Sequence, residues 1–219
     1  MIFRNRREAG RALAHALRGM PGLEDAVVLA LPRGGAPVAY EVARELRLPL
    51  DVFVVRKLGV PGQEELAMGA VASGGIIVLN APIIRAFGIE QGIIDEAVAR
   101  EEQEIARRET AYRAGRPPLP LQGRTAILVD DGLATGSTMT AAVRALHPIA
   151  RQVIAAVPVA AARSCDAMRR EAGEFVCLAS PDPFSAVGEF YRDFDPTSDD
   201  EVRALLLKAQ QDNGAPRAA

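Results

Sequence analysis

Residues 126–143 read AILVDDGLATGSTMTAAV. Ala126, Ile127, Leu128 and Val129 form an apolar run short enough for a strand buried on both faces of a parallel sheet. Two carboxylates, Asp130 and Asp131, follow it, then the small and hydroxylated loop Gly132, Leu133, Ala134, Thr135, Gly136, Ser137, Thr138, and then a helical pattern over 139–146. In a strand, tight loop and helix start taken in succession, backbone N–H groups converge and the helix dipole adds its positive end to the same spot. Such a place favours phosphate. Carboxylates just upstream would repel a phosphate but accept hydrogen bonds from sugar hydroxyls, so phosphate and diol side by side point to a ribose 5-phosphate. The plain alternative is a strand-to-helix turn with an Asp cap. A Walker loop would need Lys where Gly136 stands, and a dinucleotide loop would carry its acid well after the glycines.

Outward from this stretch the arrangement repeats. Residues 26–31 (AVVLAL) predict a buried strand that runs through Pro32, Arg33, Gly34 and Gly35 into a helix over 36–46. In a doubly wound sheet, ligands sit beyond the carboxyl ends of strands where the strand order reverses, so the two loops are expected to face each other across one crevice. Gly34 and Gly35 would let backbone approach a ligand closely, and Arg33 offers a donor fork for phosphate. A second strand is expected over 50–55, with Arg56 and Lys57 at its end as partners for a charged ligand or as solvated surface cations. Residues 59–66 (GVPGQEEL) read as a mobile loop, and 67–71 and 76–79 as a hairpin around Ser73, Gly74 and Gly75.

The segment 89–114 is acid-rich early and basic late, as the helix dipole favours. Val98, Ile105 and Tyr112 recur every seventh residue. A helix packed along one edge is the first reading and a contact between two copies the second; a homodimer is the expected assembly. A helix over 6–18, strands over 152–157 and 175–178, a helix over 161–172 and a last helix over 199–209 capped by Ser198 complete the pattern. His15, His147, Cys165 and Cys177 read as surface or packing residues. Phe184, Phe190, Tyr191 and Phe194 cluster near the end, either to stack on a planar base or to seal the core.

Length and composition set the frame. The chain has 219 residues, 49% of them hydrophobic, and a formal net charge of −2, enough for one sizeable α/β domain and with no global electrostatic reason to bind nucleic acid. No apolar run is long enough for a membrane span, and the start MIFRNRREAG lacks the apolar core of a signal peptide, so a cytoplasmic location is expected. With two cysteines far apart in sequence, neither a zinc site nor a disulfide framework is expected.

The stretch from residue 126, with four apolar residues ahead of two acids, a small loop and Thr-Gly-x-Thr, resembles the phosphoribosyl pyrophosphate (PRPP) motif of type I phosphoribosyltransferases, most specifically over 128–140. The resemblance extends over the core from 26 to 178. It implies an α/β fold with a doubly wound, mostly parallel sheet, a small hood and a flexible loop or hairpin that closes over substrates. It suggests a single domain over 1–212, with hood parts from 59–80 and 180–196, and a disordered tail over 213–219. It further implies transfer of a 5-phosphoribosyl group from PRPP to a nitrogenous base with release of pyrophosphate, assisted by Mg²⁺ held through substrate oxygens and water rather than by direct protein ligands.

By that resemblance residues 132–138 bind the 5-phosphate, Asp130 and Asp131 the ribose hydroxyls, and Arg33, Gly34, Gly35, Arg56 and Lys57 the pyrophosphate. Many 6-oxopurine enzymes of the family carry an Asp where this chain has Ala134, so the pattern looks closer to adenine-type members, while uracil enzymes share its Ala-Thr-Gly part; the implied base is a purine or a pyrimidine. Glu64 and Glu65 are the candidates for moving the acceptor's proton from a closing loop, or they are solvated charges. The competing reading is a non-catalytic PRPP sensor.

Overall fold

The computed structural model describes residues 2–214, the side chains of residues 65, 213 and 214 excepted. Five short apolar strands make a parallel sheet: β1 (Val27–Ala30), β2 (Leu50–Val52), β6 (Thr125–Val129), β7 (Gln152–Val159) and β8 (Glu174–Ala179), in the order β2-β1-β6-β7-β8. Their side chains alternate between two cores. Val28, Ala30, Ile127 and Val129 meet helices α1 (Arg6–Leu17), α2 (Gly35–Leu46), α4 (Gln91–Arg113) and α7 (Asp199–Gly214) on one face. On the other face Val27, Leu29, Ala126 and Leu128 meet α5 (Ser137–Leu146) and α6 (Ala162–Glu171). With both faces covered, the strands read as continuous apolar runs. The chain runs from β1 outward to β2 and later returns to the other side of β1 as β6, so the strand order reverses between β1 and β6. The loops after these two strands flank that switch point, as expected.

A second sheet is antiparallel: β3 (Val55–Val60), β4 (Gln63–Ala72) and β5 (Ile76–Leu79), in that order. It packs against α4 with Leu58, Val60 and Met68, and towards α5 with Val55, Ala72, Ile76 and Val78. Two expectations are corrected here. The apolar run 50–55 is not one strand: β2 ends at Val52, the N–H of Val54 donates to Ser73 Oγ at 2.8 Å, and Val55 starts β3 in the other sheet. Arg56 and Lys57 therefore lie inside β3, not at the rim of the parallel sheet. Likewise 59–66 is no open loop. It is the tip of the β3–β4 hairpin, turning at Pro61 and Gly62, with a register shift about Gly59.

The hairpin over 67–79 is present as β4 and β5, and the Val98, Ile105 and Tyr112 stripe of α4 is buried. A short helix α3 (Ala81–Phe87), ended by Gly88 at φ 60°, has no counterpart in the sequence reading. Helix α7 is capped as predicted, the N–H of Glu201 donating to Ser198 Oγ at 3.1 Å, but it continues past 209 to Gly214. From residue 215 on, the predicted tail lies outside the described residues.

Candidate functional site

Asp130 and Asp131 stand where β6 ends, and the turn 31–35 after β1 lies directly against them. The N–H of Leu31 donates to the carbonyl of Val129 at 2.9 Å. A methyl carbon added at Gly34 would sit 2.2 Å from Asp131 Oδ2, and one at Gly35 2.6 Å from the carbonyl oxygen of Val129. The two glycines are the condition for this approach, since any side chain would occupy the space of the acids. The Pro32–Arg33 peptide is cis. Arg33 itself is exposed and turns towards the start of α7, 3.9 Å from Asp199.

The loop after the acids is braced from the β7–α6 side. Leu133 N–H donates to the carbonyl of Val159, and Leu133 returns its own carbonyl to the N–H of Ala161, both at 2.9 Å. Ser164 Oγ donates to the carbonyl of Ala134 at 2.6 Å. Gly132 fits between Val159 and Val187, where a methyl would come within 2.6 Å of Val187 Cγ1. Gly136, at φ 74°, turns the chain into α5. Thr135, Ser137 and Thr138 are exposed, and the hydroxyls of Thr135 and Ser137 lie 3.2 Å apart. The first-turn N–H groups of α5 have no partner within the helix. The loop is thus fixed on its protein side, and Thr135, Ser137 and Thr138 face solvent on the other.

Electrostatics sharpen the acid pair. Burial, and then the charge of Asp131, push Asp130 well above the usual carboxylate range. Burial also raises Asp131, against the opposing effect of Arg6. Asp130 Oδ1 accepts the N–H of Asp131 at 2.9 Å. Arg6, the first residue of α1, donates from Nε to Asp131 Oδ2 at 2.8 Å, and Tyr191 donates its hydroxyl to the carbonyl of Asp131 at 2.6 Å. Nothing in the run RNRR over 4–7 distinguishes Arg6 from its neighbours, so sequence reasoning assigned it only to a helix.

The aromatics near the end of the chain stack on one another. Phe184 lies against Phe190 and Tyr191 against Phe194, each pair with centroids 5.0 Å apart. With Phe3, Ala9 and Val159 they make a small third core beneath the acid turn, which favours sealing over base stacking.

The remaining predicted residues lie on the antiparallel sheet. Alternation along β3 sends Arg56 to α4, where Nε donates to Glu101 Oε2 at 2.8 Å, and Lys57 to the opposite face. There Lys57 lines a pocket of about 190 Å³ with Asn80 and with Ser137, Thr140 and Arg144 of α5. Glu64 is exposed near the hairpin tip, packed beside Gly59. The side chain of Glu65 is outside the described residues. Among the described residues no cluster of His, Cys, Asp or Glu is arranged to hold a metal ion by itself. What the acid pair offers a cation is hard oxygen beside the exposed hydroxyls of Thr135, Ser137 and Thr138, a donor set that suits Mg²⁺ held through substrate oxygens and water.

Comparison with known proteins gives three findings. A model of the phosphoribosyl transferase domain matches residues 2–195. A protein of Mycobacterium tuberculosis strain H37Rv, provisionally named a phosphoribosyl transferase, is 47% identical over 215 residues, covering 96% of this chain and 48% of the relative. The chain therefore spans about half the length of the curated relatives it matches. The crystal structure of the protein TT1426 from Thermus thermophilus superimposes with a TM-score of 0.87 at 44% identity, covering 95% of this chain and 99% of that one.

Proposed function

The chain belongs to the phosphoribosyl transferase domain family, and we propose that it transfers the 5-phosphoribosyl group of PRPP to a nitrogenous base, releasing pyrophosphate. The observation that carries this reading is the contact of the Gly34–Gly35 turn with Asp130 and Asp131 at the mouth of the open 132–138 loop. Phosphate, diol and leaving group then find their partners around one crevice.

In this reading the N–H groups and hydroxyls of residues 132–138 hold the 5-phosphate. Asp130 and Asp131 accept hydrogen bonds from the ribose hydroxyls, and their negative charge favours a positively charged, oxocarbenium-like ring in the transition state. The bond from the anomeric carbon to the pyrophosphate oxygen breaks, its electron pair leaving with pyrophosphate. The base nitrogen forms the new bond on the opposite face and gives up its proton. The backbone of Gly34 and Gly35, with Arg33, receives the leaving group, and Lys57 approaches from the α5 side; Arg56 would have to leave Glu101 to join them. Asp130 and Asp131 are the residues that would hold Mg²⁺, through substrate oxygens and water, and its positive charge would favour departure of the pyrophosphate. With Ala134 in place of an Asp, the loop carries no acid for a 6-oxopurine N7, which favours an adenine-like acceptor. Glu64 and Glu65, both at the β3–β4 tip, are the candidates to take the proton.

The test is incubation with PRPP, Mg²⁺ and pooled nucleobases, reading PRPP binding and pyrophosphate together. Base-dependent pyrophosphate supports the transferase. Binding without pyrophosphate would make the protein a sensor, and no binding would remove PRPP as the ligand. Asp130→Asn with Asp131→Asn should lower turnover by at least about a hundredfold, the cost typical of losing preorganised electrostatic stabilisation, while the fold survives.

A further inference from the structure

Arg6 is remote in sequence from every element of the loop–acid motif, yet its side chain pairs directly with one of the two acids. Nε donates to Asp131 Oδ2 at 2.8 Å, and Nη1 donates to the carbonyl of Asp195 at 2.8 Å. The guanidinium plane is covered by the ring of Phe194, whose centroid is 3.8 Å from Cζ. Phe194 in turn stacks on Tyr191, which donates to the backbone carbonyl of Asp131, and its edge leaves no room for a side chain at Gly188. Arg6 is itself anchored: Asn5 caps α1 by accepting the N–H of Glu8 at 3.0 Å. Both ends of the ion pair are enclosed, with side-chain exposures of 11% for Arg6 and 14% for Asp131. A planar cation that stacks on one face and donates along two edges is a task for Arg and not for Lys.

We propose that Arg6 is the positioning residue of the sugar-diol site. It fixes one carboxylate oxygen of Asp131 against Gly34, so that the other oxygen is presented to a ribose hydroxyl in a set orientation. The clamp brings the first helix and the segment 191–195 onto the acid turn. Ordering a carboxylate in advance removes a cost that the ligand would otherwise bear on binding. Arg6 does not touch the sugar; it acts through Asp131. This inference rests on the diol role assigned to Asp131 above.

The experiment compares ribose 5-phosphate with 2,3-dideoxyribose 5-phosphate, which keeps the phosphate and lacks the diol, by calorimetry on the full chain. Hydrogen bonds to a charged carboxylate give the wild type a preference for ribose 5-phosphate of roughly tenfold or more. In Arg6→Gln this preference should fall to within about threefold of unity while the affinity for the diol-free ligand stays within about twofold of wild type, a split that general damage would not produce. Phe194→Leu, which removes the ring beneath the guanidinium, should reduce the preference in the same direction, and Arg6→Lys should restore only part of it.

An undiminished preference in both Arg6→Gln and Phe194→Leu overturns the positioning role, with the diol assignment intact. Tighter binding of ribose 5-phosphate by Arg6→Gln would also overturn it, making Arg6 a plug over the acid. Absence of any preference in the wild type removes the diol assignment itself and this inference with it. The diol-free ligand serves as the folding control in every variant.

Discussion

At Gly35 an added methyl carbon would lie 2.6 Å from the carbonyl oxygen of Val129 and 3.0 Å from Cα of Asp130, so the obstacle is backbone that cannot rotate aside. Gly35→Ala should therefore destabilise the protein by about 1–3 kcal/mol, the usual cost of overpacking a close approach, measured by urea denaturation. At Gly34 the obstacle is the Asp131 carboxylate at 2.2 Å, a side chain that can move. Gly34→Ala should cost less stability and more ligand affinity, because it displaces Asp131 from Arg6. The acids, the glycines and the missing acid at Ala134 were all readable from the sequence, since each chemistry is local to its motif. Arg6, Tyr191 and Phe194 were not. Their role depends on the first helix and the last segment meeting at the acid turn, and no residue pattern encodes a meeting across 125 positions.

Among the elements, α4 and its exit show what ties the two sheets together. Arg113, at the last turn of α4, donates to Asp51 Oδ1 at 2.9 Å and to the carbonyl of Val52, while Asp51 Oδ2 accepts the N–H of Leu119 from the connector that follows. Both side chains are more than nine-tenths buried. Removing one partner strands the other, so Arg113→Ala should destabilise the protein by about 3–5 kcal/mol, while the paired change Arg113→Met with Asp51→Asn should recover a large part of that loss. Equal destabilisation of the single and double variants in urea would show that packing, not charge pairing, holds this corner.

The sequence pointed to α4 as an acid-to-base helix with a seven-residue stripe, and the parallel strands as apolar runs. It could not show where β2 leaves the parallel sheet. The run LDVFVV over 50–55 is equally suited to either sheet; the break is made by Ser73, 19 residues away, which takes the N–H of Val54.

Over the whole molecule, Arg6, Gly34, Gly35 and Tyr191 meet at the turn that carries Asp130 and Asp131, and the fold keeps two carboxyls there that burial penalises. Asp130 and Asp131 are both raised above their ordinary values, so the folded chain holds protons that the unfolded chain releases. The sign follows from linkage. A raised carboxyl contributes stability that is fully present below its unfolded value, near 4, and is lost as pH rises through the folded value. Asp130→Asn abolishes that titration, so the stability of the wild type relative to this variant should decline as pH rises above about 4. Ligand affinity should run the other way, because a diol needs ionised acceptors. Saturation with PRPP and Mg²⁺ at about a hundred times Kd adds about 2.7 kcal/mol, which for a domain of this size raises Tm by several degrees. That ligand-induced shift should grow as pH rises above about 4 in the wild type, and should be smaller and less steep with pH in Asp130→Asn, where Asp131 alone of the pair still titrates. A thermal melt series over this range, with and without ligand, checks both trends. A ligand shift independent of pH in the wild type would mean that the acid pair does not meet the sugar.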